Sequence, residues 1–341
     1  MAPALDLPDR VLIVRLGAIG DVANALVVAA ALRAHRPAIE IGWAVHELAH
    51  PLVAGHPCVD RVHLWRRTEG LTGLRRVLAE IRERRYGLAI DLQRIGKSGL
   101  LARLSRAPRT LGFDRRRAKE LSWLWHTDTI PPGDPHAHMV EQYMEFVRAV
   151  GIEGAVPHHV LPADAAADAW AERTTAGIGG SPVVVCVGAS KPPNRWPAER
   201  WGELAAALAA RAMPPIVLAG GPEDRALFAA ALAAASAGGP VHDLVGRTSL
   251  RELIALLRRA RLFVGGDTGP MHLAGAVGAP VVALFGPADP RRTGPWGRRA
   301  RVVQHGSRRM EAIGVEEVLA ACAELLDSRP VSPGGPNGGA N

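Results

Sequence analysis

The stretch Leu262–Pro290, LFVGGDTGPMHLAGAVGAPVVALFGPADP, decides the fold. Its apolar start, Leu262 to Gly265, reads as a buried parallel strand ending in a glycine pair. Asp267 and Thr268 are favoured N-cap residues, and Pro270 suits the first helical position. The spacing predicts a helix over 271–277, stopped by Gly278 with Pro280 behind it. Val281 to Phe285 is the next strand. Asp267, Thr268 and Gly269 therefore open a helix at the carboxyl end of a strand. Backbone amides and the helix dipole there favour an anion such as a phosphate, and Gly269 lets a ligand approach the backbone. A plain helix start is the competing reading.

The same alternation extends outward in both directions. Strands are expected over 10–16, 39–45, 62–64 and 86–92, with helices over 21–33, 71–85 and near 97–106. After an interruption they return: strands over 182–188, 215–219, 241–244 and 262–265, helices over 200–211, 223–237, 250–259 and 315–326. The interruption, 151–181, combines proline, glycine and one short alanine-rich helix, so the domain boundary falls there. This divides the chain into lobes 1–160 and 161–326 and a disordered tail, 327–341. Regular strand–helix alternation gives an α/β class with two doubly wound, Rossmann-like lobes. Ligands are expected in a central cleft at the carboxyl ends of the strands.

The chain has 341 residues, 48% hydrophobic and 22% charged. That is long enough for two cores and excludes global disorder or a small disulfide scaffold. Cys58, Cys186 and Cys322 are far apart and show neither metal-ligand spacing nor a disulfide framework. Apolar runs such as the eight residues of Ala25–Leu32 fall well short of the about 20 that a spanning helix needs. No basic-then-apolar leader opens the chain, so a cytoplasmic protein is expected. The net charge of +8 is unevenly placed, because residues 61–119 carry 17 Lys/Arg against 5 Asp/Glu. Such asymmetry suits a nucleic acid, an acidic lipid or a phosphorylated substrate, or simply an arginine-rich surface. At 4% aromatic residues there is little material for base stacking, which argues against nucleic acid.

Three further loops follow strands. Leu16-Gly-Ala-Ile-Gly-Asp21 has two glycines in a strand-to-helix turn, without a dinucleotide fingerprint. Asp21 either caps the helix or points its carboxylate into the cleft. Gly188-Ala-Ser190-Lys191-Pro-Pro-Asn194-Arg195-Trp196-Pro197 offers Ser190, Lys191 and Arg195 to a pyrophosphate. Gly220-Gly-Pro-Glu-Asp224 offers carboxylates to ribose hydroxyls, or a charged first helical turn.

In order, LIVRLGAIGDV, ASKPPNRWPAERW, GGPED, VGRTSLREL and GGDTGPMHLAGAVGAPVVALFGPADPRRTGP resemble the bacterial heptosyltransferases of glycosyltransferase family 9, from about Arg10 to Ala323. The resemblance implies a GT-B fold and inverting transfer of a heptose from ADP-heptose to the lipopolysaccharide inner core. It implies no cofactor and no bound metal. Position by position, Asp21 matches the proposed catalytic base. Asp267, Thr268, Gly269 and His272 match the donor-phosphate block. Ser190 matches a hydroxyl near the phosphates, Asp224 an acid near the ribose and Thr248 a residue beside the adenine. Family members often carry lysine where this chain has Asn194, so Lys191 is expected to serve in part instead. Arg66, Arg67, Arg94 and Lys97, in the basic segment, are the expected contacts of a phosphorylated lipid A/core acceptor, on a protein peripheral to the inner face of the inner membrane. The alternatives are a transferase of the same fold with another nucleotide sugar or acceptor, and a non-catalytic nucleotide-sugar or nucleic-acid-binding protein.

Overall fold

Two six-stranded parallel sheets, with strand orders β3-β2-β1-β4-β5-β6 and β12-β11-β10-β7-β8-β9, organise the computed structural model. The structure describes residues 5–328 except 190, 212–213, 236–240 and 298. The chain divides into two units between Ala163 and Asp164. The expected tail lies outside the described residues from 329 onward.

Unit 1 runs β1 (Arg10–Val14), α1 (Ile19–His35), β2 (Glu40–Val45), α2 (His50–Val53), β3 (Arg61–Leu64), α3 (Gly70–Arg84), β4 (Leu88–Asp91), α4 (Gly96–Leu104), β5 (Arg109–Gly112), β6 (Asp128–Thr129) and α5 (Met139–Ala149). β1 pairs with β2 on one side and β4 on the other, in parallel register Val11↔Ile41 and Val11↔Leu88. The strands read as apolar runs because both faces are covered. Leu12, Val14, Ala44 and Ala89 meet Val77, Leu78 and Ile81 of α3 in one core. α1 lies against α5, and its whole Val22–Ala29 stretch is buried. Each buried valine or leucine contributes about 1.5–3 kcal/mol relative to exposure.

Unit 2 runs α6 (Ala165–Gly177), β7 (Val183–Cys186), α7 (Ala198–Ala210), β8 (Ile216–Ala219), α8 (Arg225–Ala235), β9 (Val241–Asp243), α9 (Leu250–Arg259), β10 (Leu262–Gly266), α10 (Gly269–Ala276), β11 (Val281–Leu284), α11 (Pro290–Thr293), β12 (Ala300–Val303) and α12 (Val315–Asp327). Val183, Val185, Leu218, Val264 and Val282 form the sheet side of its core, closed by Trp201, Leu204 and Leu208 of α7 and by Val318 and Cys322 of α12. α9 starts on a reciprocal capping box: Ser249 Oγ accepts from Glu252 N at 3.2 Å, and Glu252 Oε2 accepts from Ser249 N at 2.7 Å.

Most expected elements are present, with ends shifted by at most two residues; positions 236–237, the expected end of the 223–237 helix, lie outside the described residues. β5, β6, α2, α5, α11 and β12 add to the sequence reading. No helix among the described residues is long and apolar enough to cross a membrane. In each sheet the order of strands reverses about its centre, beside β1 in unit 1 and β7 in unit 2. In such sheets ligands bind at the carboxyl ends of the strands flanking that switch.

Candidate active site

In unit 2 the switch lies between β7 and β10, which pair from Leu262↔Val183 to Gly265↔Cys186. Chain leaving β7 forms the loop that carries Lys191, Asn194 and Arg195, and chain leaving β10 forms Asp267 and Thr268. Lys191, Pro193, Asn194, Asp267, Pro287 and Ala288 line one cavity of about 290 Å³. A 3-10 turn at Pro192–Asn194, closed by Asn194 N donating to Lys191 O at 3.0 Å, brings Lys191 and Asn194 to the same wall. Arg195 turns back, its Nε donating to Ala189 O at 2.8 Å. Ser190 lies outside the described residues.

The start of α10 departs from a simple cap. Thr268 occupies the N-cap position, yet its side chain makes no capping bond. Its hydroxyl donates backward to Gly266 O at 3.3 Å. Asp267 instead faces Thr293, whose Oγ1 donates to Oδ2 at 3.5 Å, and His272, whose Nε2 lies 3.7 Å from Oδ1. The first amides of a helix have no partner within the helix, and such a start suits an anion. Gly269 opens the helix and His272 is buried one turn along it.

Two glycines permit the close loop approaches that shape this end of unit 2. A Cβ on Gly188 would lie 2.0 Å from Asp224 Oδ2, and one on Gly286 would lie 2.9 Å from Pro193 O. Asp224 is buried, and Gly221 N donates to its Oδ2 at 2.9 Å. Burial pushes this carboxyl above the usual carboxylate range, against the pull of the Gly221 amide. Thr248 is half-buried in the loop after β9, two residues beyond Gly246, whose amide donates to Gly220 O at 2.9 Å. The expected ribose and adenine residues thus stand on neighbouring loops. Gln304 was not foreseen: its Nε2 donates to Gly286 O at 2.8 Å and Ala288 O at 2.9 Å, fixing the loop that walls the cavity. The link spans residues far apart in sequence, so no local pattern announces it.

Unit 1 gathers the other expected residues at the carboxyl ends of β1 to β5. Asp21 sits in the first turn of α1, where its Oδ2 accepts from Ala18 N at 3.3 Å and lies 2.5 Å from Arg15 Nη2. It both caps the helix and keeps 43% of its side-chain surface open. Arg15 is buried, with Nη1 donating to Leu92 O at 3.2 Å. Burial opposes its charge, but Tyr143, Asp21 and Asp91 outweigh burial and raise its pKa above the ordinary arginine value. Gln93 Oε1 accepts from Leu16 N at 2.6 Å, while Gln93 N donates to the buried Asp91 Oδ1 at 2.9 Å. Ser98 Oγ donates to Asp91 Oδ2 at 2.9 Å. Arg15, Asp91 and Gln93 were not foreseen, although their places at or just beyond the ends of β1 and β4 were available as a signal.

Lys97 follows β4, and its Nζ lies 3.2 Å from His46 Nε2 and 4.0 Å from the centre of the Trp65 ring. His46 Nδ1 donates to Trp65 O at 2.5 Å, so Nε2 is the acceptor toward Lys97 and the ring is neutral. Burial lowers the His46 pKa, with Lys97 and Arg67 adding to the effect. Burial and Arg67 likewise lower Lys97. Arg66 pairs with Glu69 at 3.3 Å, and Arg67 is exposed beside it. Arg94 takes a left-handed conformation, φ 70°, with its guanidinium 5.2 Å from the Phe113 ring centre. Arg66, Arg67, Arg94 and Lys97 thus share one end of the sheet. The basic segment is less free than its sequence suggests. Arg117 is buried between Asp114 at 2.5 Å and Glu145 at 2.7 Å, and Arg76 pairs with Glu69 and Glu80, each at 2.7 Å.

Residues 74–319 match the family model described as glycosyltransferase family 9 (heptosyltransferase). The chain is 31% identical over 300 residues to lipopolysaccharide heptosyltransferase 1 of Pseudomonas aeruginosa, covering 85% of this chain and 82% of that one. It is 24% identical over 299 residues to the lipopolysaccharide core heptosyltransferase OpsX of Haemophilus influenzae, covering 87% and 85%. Among solved structures, a family 9 glycosyl transferase from Veillonella parvula superposes with a TM-score of 0.86 at 22% identity, covering 95% of this chain and 99% of that one. The E. coli heptosyltransferase WaaC with ADP gives 0.78 at 24% identity, covering 93% and 99%. The two-unit α/β architecture is the GT-B fold.

Proposed function

The chain belongs to glycosyltransferase family 9, and we propose that this glycosyltransferase moves a heptose from ADP-heptose to a hydroxyl of the lipopolysaccharide inner core with inversion at the anomeric carbon. The observation that carries the donor half is the cavity shared by Lys191, Asn194 and Asp267 beside the start of α10. The α10 amides and the Lys191 ammonium suit the diphosphate, whose leaving oxygen gains charge as its bond to the sugar breaks. Neither a metal nor a cofactor has a part in this scheme. Asp224 and Thr248 stand on the loops assigned to the ribose and adenine.

Asp21 takes the proton of the attacking acceptor hydroxyl. Both its contacts engage Oδ2, which leaves Oδ1 for that proton. The hydroxyl oxygen forms the new bond to the anomeric carbon while ADP departs. Arg66, Arg67, Arg94 and Lys97 are the cations assigned to the phosphorylated acceptor, at the membrane face where such a lipid resides. Asn194, in place of the lysine frequent in the family, favours one second reading, another nucleotide sugar. Turnover of a panel of nucleotide sugars on lipopolysaccharide core acceptors, with the product anomer read by NMR, tests both. Preference for a non-heptose donor replaces the first reading with the second. ADP failing to bind, while an oligonucleotide binds, rejects both.

A further inference from the structure

The segment after β5 carries an outward apolar strip. Leu121, Leu124 and Trp125 are 64%, 58% and 39% exposed, within five residues of sequence. This exposure is built by the backbone. Glu120 and Leu121 are successive non-glycine residues with φ of 51° and 55°, a conformation L-residues disfavour and keep only where neighbours enforce it. Here they do: Lys119 N donates to Arg94 O at 2.7 Å, Ser122 Oγ donates to the same oxygen at 2.9 Å, and Gly96 N donates to Glu120 Oε2 at 3.1 Å. Trp125 is seated on α4, where a Cβ on Gly99 would lie 3.1 Å from its indole Cδ1.

Cations border the strip. Arg115, Arg116 and Lys119 are exposed, and the Arg115 guanidinium stands 5.2 Å from the Trp123 ring centre. Glu120, the one acid between Arg115 and His126 in the sequence, is engaged by the Gly96 amide. By contrast, several arginines on and beside α3 are matched by Glu40, Glu69 and Glu80. Apolar side chains with an interfacial tryptophan and flanking cations fit the headgroup layer of an anionic bilayer.

We propose that the Arg115–Trp125 segment docks this protein on an anionic lipid surface. Leu121, Leu124 and Trp125 enter the interface, and Arg115, Arg116 and Lys119 meet lipid phosphates. The proposal deepens the lipid-acceptor reading above by naming the element that touches the membrane.

The test is co-sedimentation of the full chain with vesicles of phosphatidylcholine, with and without about one-third phosphatidylglycerol. The wild type binds the anionic vesicles and is released by salt. The double variant Leu121→Ser/Leu124→Ser loses about a hundredfold in partition, roughly tenfold per leucine. Arg115→Gln/Arg116→Gln loses about twenty-fivefold, roughly fivefold per cation. Both variants keep the wild-type melting temperature and wild-type heptose transfer to a lipid-free core oligosaccharide. Wild-type partition by the leucine variant, or equal wild-type binding to neutral vesicles, overturns the docking proposal. Failure of the wild type to transfer heptose to the soluble acceptor rejects the heptosyl reading instead, while the vesicle result still decides the docking segment.

Discussion

Arg15 Nη2 lies 2.5 Å from Asp21 Oδ2, joining a buried guanidinium just past β1 to a half-open carboxylate in the first turn of α1. The cation is held by Leu92 O and the loop by Gln93. The carboxylate is therefore oriented from within through Oδ2, while 43% of its side chain stays exposed.

Asp21→Asn keeps the shape and the bond from the Ala18 amide but removes the base. Transfer is expected to fall by about 10²–10⁴-fold, with the ADP dissociation constant within about twofold of wild type. Near wild-type turnover would reduce Asp21 to a helix cap.

Arg15→Lys retains a cation at reach of Asp21 and is expected to keep most of the turnover. Arg15→Met leaves Asp21 without its partner and is expected to lower kcat at least about tenfold while the donor KM holds. Steady-state kinetics on both variants, with thermal melts as the control for folding, separates positioning from collapse.

Lys191→Ala is expected to weaken ADP binding by about 10–100-fold, the worth of one charge-assisted contact. Because Asn194 lines the same cavity, Asn194→Lys in that background is expected to recover part of the loss. Isothermal titration reads both; unchanged affinity in Lys191→Ala would leave the diphosphate to the α10 amides alone.

The His46 pKa lies below the ordinary imidazole value, so the unfolded chain binds its proton first as pH falls. This contribution to stability is whole above about pH 6.5 and is lost as pH drops through the folded-state value. His46→Asn, which keeps an amide donor toward Trp65 O, is expected to flatten the loss of melting temperature between about pH 7.5 and pH 5. An unchanged slope would assign that acid sensitivity to other groups, such as the buried His63, whose pKa burial also lowers.

The strand, the Asp267-Thr268-Gly269 turn and the helix after it were legible in sequence because they lie within one βαβ unit. What misled was the role of Thr268, whose hydroxyl turns to Gly266 O instead of the helix. α5 went unread although Val140, Tyr143, Met144 and Val147 share a buried face. It follows a proline- and glycine-rich run, and its cap is the unusual His138, whose ring nitrogen accepts from Val140 N. The Arg15–Asp21 bond was hidden because β1 fixes one partner and α1 the other. Gln304 was hidden because β12 brings it to a loop formed 16 to 18 residues earlier. Arginine counts overstated the open positive charge, since Arg117 is buried between Asp114 of its own loop and Glu145, which α5 brings from elsewhere in unit 1.

The division at Ala163 has a consequence for descent. Every residue assigned to the nucleotide sugar follows it, and every residue assigned to the base and the acceptor precedes it. On that assignment, mutations that retune the donated sugar and mutations that retune the receiving one would fall in separate stretches of gene. On the assignment proposed above, a single crossover there would exchange one preference without rewriting the other, so recombination as well as point change would diversify the glycan made.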